Sequence, residues 1–413
     1  MKTRAYKKHN PISRQEINAV TKVMRSGVLS SFVGEWGKEF YGGPLVKKFE
    51  KECQKYFKVK HAIAVNSWTS GLICAVGALD IEPGDEIILS PWTMSACAAS
   101  ILHWNAIPIF ADINKETFCI DSKSIEKVIT KKTRAIMAID IFGQSCPMDE
   151  ILLLAKKYNL KVISDTAQSI GAKYKNNKFA GTLADIGGFS LNYHKHIHTG
   201  EGGVIVTNNY ALSERMKMIR NHAEAVLRKR KNFSLNNMIG YNFRMCEIEA
   251  AIGIQQLKKL NKIVNNNQLV VKKFINSLKD FHGLTLLKTP EYSTNVYYVL
   301  PILYSENLTG LSFDKVIKAL SKAGVPIVAG YQNLHLLPLF QKKIAYGKKG
   351  FPWSYSKSRK NINYNKGICP VAESLNKKSF MCLPVTSYDF SDADVKFITK
   401  QFQNIWNRYI YKA

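Results

Sequence analysis

Residues 190–203 read SLNYHKHIHTGEGG, a polar stretch between two short apolar runs at 185–190 and 203–207. It holds one lysine, Lys195, among His194, His196 and His198, and it closes in a glycine-rich turn. Upstream the same punctuation recurs. Runs rich in β-branched and apolar residues at 61–65, 86–89, 107–110, 135–139 and 161–164 alternate with amphipathic segments at 70–79, 96–104, 122–129 and 148–158. Short runs alternating with helices of this length specify an α/β layer architecture, with a mostly parallel sheet covered on both faces. Lys195 then lies on a loop at the mouth of that sheet.

Before this block the chain has a helix-like start at 15–26 and a loop at 28–43. After it, 247–260 reads as a strong helix that continues towards 278, and the texture changes to a strand at 297–302 and a helix at 313–323 closed by Gly324. The expected division is a large α/β domain with an N-terminal arm over 1–255 and a smaller α+β domain over 256–413. The stretch 346–365, rich in Lys, Ser, Gly and Asn, has the composition of an exposed loop.

Composition narrows the function classes. Hydrophobic residues make up 46% and charged residues 22% of the 413, which is the balance of a folded globular chain and too apolar for a disordered one. No apolar stretch reaches the roughly 18 residues needed to cross a bilayer, and the N-terminus lacks the apolar core of a secretory signal. The eight cysteines stand singly, without a CxxC pair, as expected of reduced thiols in a cytoplasmic protein. The net charge of +28 admits nucleic acid, an anionic membrane surface or a phosphate-bearing substrate as partner. The basic residues are scattered, however. Only Arg228-Lys229-Arg230-Lys231 is dense, and it reads either as a solvated loop or as a site facing a diphosphate.

Three places carry chemistry. Lys195 is either a surface lysine or, if partly buried, an amine of lowered pKa able to act as a nucleophile. Asp165 in SDTAQ (164–168) ends an apolar strand, where open α/β sheets bind ligands, and an Asp there is a cofactor or metal partner more often than a structural one. Thr69-Ser70-Gly71 lies between a strand and a helix, as a phosphate cradle or a simple N-cap. An amine for an aldehyde, a carboxylate for a ring nitrogen and a helix start for a phosphate are what pyridoxal 5'-phosphate needs. The alternating histidines His194, His196 and His198 suggest a metal, but no carboxylate accompanies them at ligand spacing, so none is assigned; one of them reads better as a proton carrier beside Lys195.

The chain resembles the DegT/DnrJ/StrS family of pyridoxal-phosphate-dependent sugar aminotransferases. The likeness runs from GPL (43–45) and FE (49–50) through EPGDEIILSPWT (82–93), PIFADI (108–113), SDTAQ and the lysine loop to IGYNFRMCEIEAAIGIQQL (239–257), AGVPIVAGYQNLH (323–335) and CLPV (382–385). It implies the aspartate-aminotransferase fold, fold type I, in a homodimer with shared active sites. It also implies roles: Lys195 forms a Schiff base with the cofactor, Asp165 pairs with its ring nitrogen, and Gln168 lies against the ring or its hydroxyl. Thr69, Ser70 and Ser190 hold the phosphate, helped by Asn242 from the partner subunit. Arg244 shapes the intersubunit pocket, and the ring-stacking position falls on Trp92 or Met94.

The implied activity is transfer of an amino group from glutamate or glutamine to a ketosugar, a nucleotide-linked keto-deoxyhexose, in amino-sugar or surface-polysaccharide biosynthesis. Arg228 and Arg230 are placed towards the sugar's diphosphate, with His194 and Arg244 near the substrate. A related branch dehydrates sugars and carries His in place of the lysine; here the fifth residue after Ser190 is Lys195. A non-catalytic regulator would have no reason to keep that lysine, and a nucleic-acid binder would show clustered basic residues with interleaved aromatics. Two departures stand out. The residue before Thr69 is usually small and is here Trp68, so either the turn is displaced or the indole lines the site. The segment 32–43 is longer than usual and forms either a substrate wall or surface packing.

Overall fold

A computed structural model describes residues 4–229, 233–355 and 362–411. Its centre is a seven-stranded sheet made of β1 (His61–Val65), β2 (Glu86–Leu89), β3 (Ile107–Phe110), β4 (Thr133–Ile139), β5 (Lys161–Asp165), β8 (Ile186–Ser190) and β9 (Gly203–Thr207). Between β5 and β8 the short strands β6 (Lys173–Tyr174) and β7 (Lys178–Phe179) pair as a hairpin. The order across the large sheet is β1-β9-β8-β5-β4-β2-β3. From β8 to β3 all neighbours are parallel, whereas β9 runs antiparallel to both β1 and β8. Every residue of β2, β8 and β9 is buried. A sheet covered on both faces produces such unbroken apolar runs, which is why these strands lie at or within a few residues of where the pattern puts them.

The helices around it are α1 (Arg14–Ser26), α2 (Pro44–Phe57), α3 (Trp68–Ala78), α4 (Ser95–His103), α5 (Ser122–Val128), α6 (Met148–Lys157), α7 (Tyr210–Arg220), α8 (Ala223–Val226) and α9 (Glu247–Leu278). Helix α7 has no simple apolar stripe because it buries two arginines. Arg215 donates to the Ala78 carbonyl (3.1 Å), and Arg220 donates to Glu50 Oε1 (2.6 Å) and the Ala64 carbonyl (2.9 Å). The segment 32–43 packs against the end of α7: Phe40 is fully buried, and Asn221 Nδ2 donates to the carbonyls of Val33 (2.9 Å) and Phe40 (3.0 Å).

The smaller layer is an antiparallel sheet of β10 (Leu284–Thr285), β11 (Leu300–Tyr304), β12 (Val328–Ala329) and β13 (Phe380–Leu383), in the order β10-β11-β13-β12. With it come α10 (Glu306–Thr309), α11 (Phe313–Lys322), α12 (Pro338–Lys342), α13 (Pro370–Lys378) and α14 (Asp392–Tyr409). Ile302, Met381, Phe402 and Trp406 share its core with Val271 and Phe274 of α9.

The expected boundary at 255/256 falls inside α9, one continuous helix of 32 residues that packs on α1 and α2 and also on α14. The chain start, expected as an arm of the large domain, is fastened to the smaller layer. Arg4 pairs with Asp394 (2.6 Å), the Tyr6 hydroxyl donates to the Gly324 carbonyl (2.6 Å), and His9 meets Asp389 (2.7 Å). Nor is the described part of 346–365 simply an exposed loop; residues 356–361 lie outside the described residues. Trp353 and Tyr364 are buried, and the Tyr364 hydroxyl donates to the Pro108 carbonyl on edge strand β3 (2.7 Å). Composition averages over the many polar residues and hides these two aromatic anchors.

Candidate active site

Three elements deliver side chains to one edge of the large sheet. Asp165 is the last residue of β5 and pairs in register with Gly188 of β8; Ser190, the last of β8, pairs with Gly203, which also faces Val65 at the end of β1. Two residues beyond Val65, Ser67 caps α3. Ligand sites of open α/β sheets form at this carboxyl edge because the connecting loops diverge there and leave a crevice.

Lys195 sits in the connection from β8 to β9. Backbone bonds from Leu191 to Gly202 (2.9 Å), Thr199 to Leu191 (3.0 Å) and Lys195 to Asn192 (2.9 Å) pin that loop. Nζ lies 4.6 Å from the centre of the Tyr298 ring, and only 8% of the residue is exposed. Burial lowers the amine to about 8, against the opposing pull of Asp165 and of Cys97. At pH 7 about a tenth of such an amine is neutral, far more than of a solvated lysine.

Asp165 is buried with both oxygens engaged. Oδ1 accepts from Trp68 Nε1–H (2.7 Å) and from the Ala167 amide (3.0 Å), and Oδ2 accepts from the Cys97 thiol (2.9 Å). Burial and the neighbouring Asp165 charge both push the Cys97 thiol up, so it stays protonated and donates. A layer behind supports this arrangement: Asp140 donates its amide to the Asp165 carbonyl (2.9 Å) and accepts from Ser164 (2.9 Å) and Thr166 (2.6 Å).

Gln168 is fixed at both ends of its amide. Oε1 accepts from the Phe142 amide (3.0 Å) and Nε2 donates to the Tyr331 hydroxyl (3.0 Å), so the smaller layer reaches the site through Tyr331. At the start of α3 the cap is Ser67, whose Oγ accepts from the Ser70 amide (3.1 Å), while the Ser70 hydroxyl donates to Asn66 (2.7 Å). Thr69 is exposed in the first turn and is not the cap. Ser190 is buried, its Oγ accepting from the Asn192 amide (3.3 Å).

Of the two residues expected to stack on a ring, Trp92 is taken into the core. Its indole donates to Asn333 Oδ1 (2.9 Å) and stacks on Phe118, with ring centres 5.8 Å apart. Met94, 63% exposed at the start of α4, is the one with a free face. Asn242 is exposed, and its Oδ1 accepts from Arg244 Nε (2.7 Å) in a turn that bridges to Val65 beside the α3 cap. Arg228 is exposed in the turn after α8; Arg230 lies outside the described residues.

The three histidines have separate environments. His196 is fully buried with Nε2 on the Val296 carbonyl (3.0 Å), His198 Nδ1 accepts from the Gly200 amide (3.3 Å), and His194 lies against Tyr193 and Tyr298. Burial, with the nearby Lys195 charge, lowers His194 to about 4, so it is neutral near pH 7.

Cys97, Tyr298 and Tyr331 were not singled out from the sequence. Cys97 lies one helical turn after Met94, and that spacing is the local signal that could have found it. The donor set fits pyridoxal phosphate: a buried amine of lowered pKa, a carboxylate held at a strand end, and hydroxyls beside a capped helix start.

Comparison with known proteins agrees. The sequence profile of the DegT/DnrJ/EryC1/StrS aminotransferase family matches residues 11–365. The chain is 35% identical to the GDP-perosamine synthase of Caulobacter vibrioides, over 72% of this chain and 78% of that one. It is 31% identical to the spore coat polysaccharide biosynthesis protein SpsC of Bacillus subtilis, over 83% and 86%. Among solved structures, the Helicobacter pylori aminotransferase PseC, involved in pseudoaminic acid biosynthesis, superposes with a TM-score of 0.80 at 26% identity, covering 99% of this chain and 100% of that one. The fold is that of a fold type I aminotransferase. The chain belongs to the DegT/DnrJ/EryC1/StrS aminotransferase family.

Proposed function

We propose that this protein is a pyridoxal-phosphate-dependent aminotransferase that moves an amino group from glutamate or glutamine to a nucleotide-linked keto-deoxyhexose, as a cytoplasmic homodimer. The observation that carries the reading is the buried Lys195 amine, lowered to about 8 and close enough to Asp165 to feel its charge. The sugar nucleotide is suggested by the similarity to GDP-perosamine synthases, and a role in a surface glycan by the similarity to SpsC.

Bound pyridoxal phosphate supplies the electron sink that lets an α-carbon give up its proton. Lys195 Nζ would hold the cofactor at its aldehyde carbon, with loss of water, and the amine released when the donor's amine takes its place would carry a proton to and from the donor's α-carbon. Asp165 orients its carboxylate to the ring nitrogen, and the hydroxyls of Thr69 and Ser190 with the first amides of α3 hold the phosphate. Met94, Gln168 and Tyr331 would line the space for the ring. Asn242 completes the phosphate site from the partner subunit, with Arg244 bracing it. Arg228 and Arg230 attract the sugar's diphosphate.

Borohydride treatment of the purified protein tests the assignment. A reduced pyridoxyl group should be found on the peptide containing Lys195, and Lys195→Ala should carry none. A modified peptide elsewhere, or none in the wild type, contradicts it.

A further inference from the structure

Trp68 resolves into neither of the two outcomes that its sequence position suggests in their simple form. The turn is undisplaced, since Ser67 still caps α3, with Trp68 as the first helical residue. A side chain there points back along the helix towards its start, and the indole lies against β8. A Cβ at Gly188 would fall 2.1 Å from indole Cζ3, and one at Gly71 would fall 2.6 Å from Cε3. The ring therefore lies directly on the backbone of the β8 residue that pairs with Asp165. From that bed Nε1–H reaches Asp165 Oδ1 at 2.7 Å, with the tryptophan only 5% exposed.

A hydrogen bond to a carboxylate in so dry a setting is among the stronger kinds and is strongly directional. The other donor to Oδ1 is the Ala167 amide, fixed in the same turn as Asp165 itself. The indole thus ties Oδ1 to a separate element, α3, as the Cys97 thiol ties Oδ2 to α4, while the Lys195 charge competes for the carboxylate. We propose that Trp68 is a positioning residue, whose indole N–H fixes the Asp165 carboxylate in the orientation that receives a cofactor ring nitrogen, and that Gly188 is the space admitting it. This rests on the reading of the site as one for pyridoxal phosphate.

The test is equilibrium dialysis with pyridoxine 5'-phosphate, which lacks the aldehyde and cannot bond to Lys195, and with its analogue carrying C–H in place of the ring nitrogen. The readout is the ratio of the two dissociation constants. Two replacements remove the donor: Trp68→Phe, and 3-benzothienylalanine at position 68, which keeps the bicyclic shape should the phenylalanine variant fail to fold. Each should reduce the wild-type preference for the nitrogen ring about tenfold, the size of one charge-assisted hydrogen bond. In an Asp165→Asn background the same replacements should change the ratio less than about twofold. Equal weakening of both ligands, an unchanged ratio, or an equal fall in the Asp165→Asn background overturns the proposal. A wild type that binds neither ligand contradicts the cofactor reading itself.

Discussion

Lys195 is set apart by its surroundings as well as by its local sequence. Burial takes its amine from 10.5 to about 8, and Asp165 and Cys97 keep it from falling further. The sign follows: raising pH through 8 frees the amine. Reaction of the cofactor-free protein with an aldehyde should therefore reach half-maximal rate near pH 8. Asp165→Asn removes one of the opposing charges and should move that midpoint lower. A midpoint near 10.5, or an upward move in the variant, contradicts the placement of Lys195. Lys195 and Asp165 were legible because each sits in a distinctive local string, and Gln168 was legible only through the family resemblance. The bond between Trp68 and Asp165 was not, because it joins positions 97 apart in sequence. Periodicity reports which face a residue takes and says nothing of which distant residue it meets.

The loop between β8 and β9 is held from beneath by His196, whose Nε2–H donates to the Val296 carbonyl (3.0 Å). Burial lowers this imidazole from 6.5 to about 4. Between those values the unfolded chain binds the proton that the native state refuses, so His196 costs stability as pH falls through that window. His196→Gln loses the Val296 bond but also the titration. The variant should be the less stable at pH 7, and the gap should shrink by up to about 3 kcal/mol by pH 4. Asp140 acts in the opposite sense, since burial raises it from 3.8 to about 6, and it is common to both proteins, so the difference isolates the histidine. Urea unfolding at several pH values measures this; a gap independent of pH contradicts the assignment. Elements were legible where both faces are buried, as in β2 and β9, and illegible where charge goes inside, as in α7. Two-residue strands such as β10 and β12 leave no period to read.

At the scale of the molecule the site lies between the two layers, with Lys195 and Asp165 on the large sheet's edge and Tyr298 and Tyr331 brought in beside them. The continuous α9 joins the layers, and residues 4–9 lace the chain start to the smaller one. Neither feature was legible in the sequence, because a domain boundary read from a change of texture takes no account of one helix serving two cores. The proposed dimer gives Asn242 its use across the interface. Heterodimers of inactive Lys195→Ala chains with inactive Asn242→Ala chains should then regain one working site, whereas verified heterodimers with no recovery speak against shared sites. The central claim, that amino nitrogen passes from donor to sugar, is tested most directly by incubation with nitrogen-labelled glutamate and a panel of nucleotide-linked ketosugars, followed by mass analysis of the products. The account expects one labelled aminosugar and one 2-oxoglutarate per turnover with the sugar that fits. Consumption of a ketosugar to an unlabelled deoxysugar would contradict it and make dehydration the reaction.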